Sequence, residues 1–76
     1  MNFTGHICSN PAVMFGKPTI SGTRITVELV LRKLAEGATI EELLDAYPQL
    51  STDSIHAAMA YAADTLAHEE LVLAPA

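Results

Sequence analysis

The stretch GKPTISGTRITV, Gly16 to Val27, puts a Gly-Lys pair, two of the chain's four cations and six β-branched residues into twelve positions. That composition could cradle a phosphate, build sheet, or present a surface to another macromolecule. A phosphate loop of the form G-x-x-x-x-G-K-[ST] needs a glycine at position 11 and a magnesium-binding hydroxyl at position 18. Both positions hold proline, Pro11 and Pro18, and no helix pattern starts at Lys17 to aim its first amides at an anion. A nucleotide site is therefore not expected. Asp64 and His68 stand four apart and could share a proton or a metal, but two ligands do not make a metal site. A local ion pair on a solvated helix face accounts for them, and for Asp53 with His56. Cys8, His6, His56 and His68 form no C-x-x-C or H-x-x-x-H pair, and three scattered histidines give no nucleophile-base-acid order. The sequence leads us to expect no catalytic group, no metal, no cofactor and no enzymatic activity.

The elements that must position these residues follow from periodicity. Phe3 to Cys8 reads as a short strand broken by Asn10-Pro11, and Thr19-Ile20 and Thr23 to Val27 as β-branched runs joined through Ser21-Gly22. Gly22 supplies the positive φ of a tight turn. After Thr26 the period lengthens to that of a helix, with Val27, Val30, Leu31 and Leu34 on one stripe, Thr26 as cap and Gly37 closing the end. Thr39-Ile40-Glu41-Glu42 is a capping box that opens a second helix, with Ile40, Leu43, Leu44 and Tyr47 on its apolar face and Pro48 as its stop. Ser51 caps a third, expected to run to about Glu70 with Ile55, Ala58, Met59, Ala62 and Leu66 inward. Asp53, Ser54, His56, Ala57, Ala60 and Tyr61 are expected to face outward. The expectation is one domain over residues 1–76: a β ribbon and dimerisation segment over 1–26, a three-helix unit over 27–70, and an apolar tail over 71–76.

A chain of 76 residues hides only about 60% of its unfolded surface, so a staple is expected. The single cysteine, Cys8, excludes an internal disulfide and suits a reducing cytoplasm. With no zinc pattern, association of two copies is left, through pairing of the ribbons at Ile7, Ile20, Thr23 and Ile25. No apolar run approaches the roughly 18 residues that span a bilayer, and the N-terminus lacks the basic start and apolar middle of a secretion signal. We therefore expect a cytoplasmic protein without membrane contact.

Charge divides the chain. Lys17, Arg24, Arg32 and Lys33 lie in the first 33 residues against the one acid Glu28, a balance of +3; from Leu34 onward there are eight acids and no Lys or Arg, a balance of −8. Two faces with different partners are implied. A helix-turn-helix reading would put the third helix into DNA, yet its outward positions carry none of the Arg or Lys that read guanine and hold phosphates. Candidate DNA contacts are therefore Lys17, Arg24, Arg32 and Lys33. Candidate contacts to a basic protein partner are Asp64, Glu69, Glu70, Leu71 and Leu73, although Leu71 to Leu73 could equally fold back on the core.

Taken together, GKPTISGTRITV, LRKLAEGATIEELLDAYPQLS and IHAAMAYA resemble the small prokaryotic family called domain of unknown function 433, over about Gly16 to Tyr61. The residues that carry the resemblance include Gly16, Lys17, Pro18, Gly22, Thr23, Arg24, Ile25, Gly37, Tyr47, Pro48 and Tyr61. The resemblance implies a mainly helical, homeodomain-like three-helix unit behind short β strands, often dimeric. It also implies an antitoxin-like partner, similar to VapB-type antitoxins, of a ribonuclease-fold toxin, with operator DNA as a second ligand. The alternative is an interaction adaptor without DNA contact.

Overall fold

The computed structural model describes residues 5–68. Two short strands, β1 (Ile7–Cys8) and β2 (Thr19–Ile20), precede three helices, α1 (Val27–Ala35), α2 (Ile40–Ala46) and α3 (Thr52–Ala67). The strands are antiparallel, with Ile7 opposite Ile20 and Cys8 opposite Thr19. On its other edge β2 meets the run before α1: Ile20 N–H donates to Ile25 O at 2.8 Å, Val27 N–H donates to Pro18 O at 3.0 Å, and Thr19 bridges Thr26. The expected third strand thus shrinks to a single bridge, because Val27 already belongs to α1. Within Ile20–Thr23, Thr23 N–H returns to Ile20 O at 3.0 Å and Gly22 has φ +78°, the positive φ that a type II turn needs at that position. Of the expected strand over Phe3 to Cys8, residues 3 and 4 lie outside the described residues.

The ribbon therefore pairs within one chain. Ile20 and Ile25 are buried in the protomer's own core, Ile7 packs against that core, and the Thr23 hydroxyl donates to Ile20 O at 2.8 Å while accepting Ile25 N–H at 3.0 Å. All four residues expected at a ribbon-paired dimer surface have these roles inside the chain.

The helices start and stop on local chemistry. Thr26 Oγ1 accepts the Leu29 N–H at 3.0 Å and opens α1. After α1, Ala38 N–H reaches back to Lys33 O and Gly37 N–H to Leu34 O, both at 3.0 Å, with Gly37 at φ +103°. These are the two bonds of a Schellman motif. Thr39 and Glu42 form the expected box, and Tyr47 ends α2 ahead of Pro48. In α3 the box is Ser51 with Ser54, whose hydroxyl takes the place of the usual Glu or Gln.

The core gathers Ile20, Ile25, Val27, Val30, Leu43, Leu50, Ile55 and Ala58, with Tyr47 and Tyr61 at its edge. Helix α1 packs chiefly on α3, and β1 touches α3 as well. The face that α3 buries differs from expectation: Ser54 and Ala57 are buried, whereas Met59 and Leu66 are 45% and 64% exposed. Ser54 tolerates burial because its hydroxyl is already bonded to Ser51.

Candidate interaction surface

The four cations do not form one basic surface. Glu28, in the first turn of α1, sits between two of them, with Arg32 Nη2 at 2.7 Å from Oε2 and Lys17 Nζ at 3.5 Å from Oε1. The Arg32 hydrogen bond first, and the Lys17 charge second, hold the Glu28 carboxyl below the ordinary glutamate range. Lys33 lies 3.8 Å from Glu36. Arg24 is exposed and has no ion pair among the described residues. It lines a shallow hollow of mixed character with Asn10, Val13, Thr19, Thr23 and Gln49.

The remaining acids among the described residues lie elsewhere. Glu41, Glu42 and Asp45 on α2, and Asp53 and Asp64 on α3, are all exposed, and neither helix contains Lys or Arg. Glu42 is partly committed, since its carboxylate accepts the Thr39 N–H at 2.9 Å and that bond lowers its pKa. At the end of α3, His68 Nδ1 donates to Asp64 O at 2.7 Å and lies 3.7 Å from Asp64 Oδ1, the local pair expected of i, i+4 neighbours. No group of three His, Cys, Asp or Glu among the described residues could hold a metal ion. Of the other expected partner contacts, Glu69, Glu70, Leu71 and Leu73 lie outside the described residues.

Two features were missed by sequence reasoning. One is an apolar groove of about 600 Å³ between α1 and α3, walled by Pro18, Val27, Leu31, Ala35, Ala62 and Leu66, with Lys17, Glu28 and Arg32 also lining it. Its signal was present in the surplus of apolar residues on α3, more than one buried face can use. The other is the loop Met14-Phe15-Gly16, whose residues take φ +48°, +57° and +80°. It leaves the Phe15 ring 97% exposed. Gly16 closes this loop.

Comparison with known proteins agrees with the fold. The model of a family described as "Protein of unknown function (DUF433)" matches residues 7–62. The uncharacterized protein y4eO of Sinorhizobium fredii is 36% identical over 56 residues, which are 74% of this chain and 25% of that protein. The crystal structure of a DUF433 member protein from Anabaena variabilis superposes with a TM-score of 0.78 at 31% identity, covering 84% of this chain and 63% of the other. The chain thus spans about a quarter of the length of the first relative and under two thirds of the second.

Proposed function

The chain belongs to the DUF433 family, and we propose that it works as an antitoxin-like module whose acidic α2–α3 surface binds a basic protein of the ribonuclease-fold toxin type. The observation that carries this reading is the placement of charge. Five exposed carboxylates stand on two helices without a lysine or arginine, while three of the four cations, all outside those helices, are matched by a nearby acid. A ribonuclease must hold a phosphate backbone and so carries cations around its cleft. An acidic helical face complements such a surface, speeds encounter and fixes register. The test is isolation of the protein from its host with whatever it binds. A stoichiometric basic partner is expected, lost from the Asp53→Lys/Asp64→Lys variant; a partner that stays with this variant contradicts the reading.

A second reading, operator binding by the homeodomain-like unit, is favoured by one observation, the exposed Arg24 beside Asn10 and Gln49. Because Lys17 and Arg32 share the one charge of Glu28 and Lys33 faces Glu36, this reading gives each copy roughly two uncompensated cations, and a salt dependence on the order of two released counterions per copy. Binding to DNA lost in Arg24→Ala supports it; unchanged binding removes it.

A further inference from the structure

We propose that the chain closes its own α1–α3 groove with residues 69–76, Leu71 and Leu73 seating between the helices and Glu69 and Glu70 meeting the charged residues at its edge. This inference is independent of the partner reading above. The groove is large for so small a fold, about 600 Å³, with Val27, Leu31, Ala35, Ala62 and Leu66 among its walls. It leaves Leu66 64% exposed. A 76-residue chain has little core to spare, and contiguous apolar surface marks a place where something binds.

Position, charge and apolar pattern together select the occupant. The α3 residues on the groove, Tyr61, Ala62, Thr65 and Leu66, belong to the last two turns of that helix. The helix stops there on its own chemistry. The His68 ring bonds at 2.7 Å to Asp64 O, the carbonyl that its own N–H would take in a continuing helix, and that N–H turns to Thr65 O at 3.2 Å. The chain thus leaves α3 beside the groove. Five residues beyond His68 reach at most about 17 Å, whereas Tyr61 to Leu66 rises only about 7.5 Å along the helix, so Leu71 to Leu73 can double back along that wall. At the edge, Lys17 and Arg32 share the single carboxylate of Glu28, which leaves one positive charge in excess. Glu69 and Glu70 answer it, while residues 1–4, MNFT, have no charged side chain to offer. The acids are followed at once by Leu71-Val72-Leu73, and in an extended chain Leu71 and Leu73 fall on one side. Tethering adds to the match, because a segment on a short linker meets its site at an effective concentration on the order of millimolar.

NMR of the full chain tests the proposal. Nuclear Overhauser contacts are expected from the Leu71 and Leu73 methyls to those of Leu31, Ala62 and Leu66. In a mixture of isotope-labelled and unlabelled copies they should arise within one chain and vanish from the spectrum filtered for contacts between copies. The Leu71→Asp/Leu73→Asp variant changes only residues outside 5–68, and far-UV circular dichroism would verify that it stays folded. It is expected to lose these contacts and to bind the apolar dye anilinonaphthalene sulfonate, which the wild type excludes. Glu69→Lys/Glu70→Lys is expected to move the Leu66 methyl resonances toward their positions in that variant. A wild type without contacts between these methyls overturns the proposal. So do contacts found only between copies, or dye binding by the wild type that matches the folded variant; should the variant unfold, the wild-type contacts decide alone.

Discussion

Phe15 sets conformational strain against exposure, and the magnitudes can be separated by substitution. Left-handed backbone costs a residue with a Cβ about 1–2 kcal/mol, while glycine gives back about 0.5–1 kcal/mol in unfolded-state entropy. Phe15→Gly should therefore raise stability by roughly 0.5–1 kcal/mol in urea denaturation. The reverse change at Gly22, whose φ is +78° and whose added Cβ would meet nothing within 4 Å, is purely conformational; Gly22→Ala should cost about 1 kcal/mol. Glu28 and Glu42 supply a pH signal. Both carboxyls have pKa values lowered in the folded state, Glu28 by Arg32 and Lys17, Glu42 by Thr39. Their contribution is complete above the ordinary glutamate value and disappears as pH falls through the depressed values. A urea midpoint followed from neutral to acid pH should fall in that window, and the fall should flatten in Glu28→Gln/Glu42→Gln. Nothing in the sequence marks Met14 or Phe15 as left-handed, since neither residue type favours positive φ; the loop is held by the bonds of Asn10 to Ala12 and Val13, of Val13 O and Met14 O to Gly16 and Lys17, and of the Ser9 hydroxyl to Gly16 O.

At the scale of elements, the caps decide where helices begin. Thr26 is buried at the junction of ribbon and α1, and its hydroxyl satisfies Leu29 N–H. Thr26→Ala should cost about 1 kcal/mol, with Thr26→Ser recovering most of it, as read from thermal unfolding. Cap and stop signals such as Thr39 with Glu42, Gly37 and Pro48 were legible because each acts within a few residues of itself. The turn at Gly22 was legible for the same reason. The inward face of α3 was not: Ala57, Ala58, Met59, Ala60 and Ala62 are apolar on every side, so only packing against α1 and β1 could select Ala57 and leave Met59 out. Ile20 and Ile25 raise a similar ambiguity, because apolar character asks for burial without saying whether the chain or its copy supplies the cover. Among the described residues no helix is long and apolar enough to cross a membrane.

For the whole molecule, a small core concentrates stability in few side chains. Ile55 is fully buried at the centre, and Ile55→Ala should cost about 2–5 kcal/mol. Small domains hold only about 5 kcal/mol or little more, so that variant should be largely unfolded at modest urea while Ile55→Val remains folded. The charge divide along the sequence persists in the helices, since α2 and α3 carry exposed acids and no lysine or arginine of their own, with Lys33 of α1 lining a hollow beside Glu42 and Asp45. It weakens on its basic side, where Glu28 and Glu36 stand against Arg32, Lys17 and Lys33. A basic protein partner is favoured over DNA on that ground. The direct measurement is native mass spectrometry of the protein purified from its host at low ionic strength, as wild type and as Asp53→Lys/Asp64→Lys. The account predicts a stoichiometric complex with a basic ribonuclease-fold protein for the wild type and the chain without it for the charge-reversed variant. A wild-type chain that emerges without such a partner, or a complex that the charge reversal leaves whole, would contradict it.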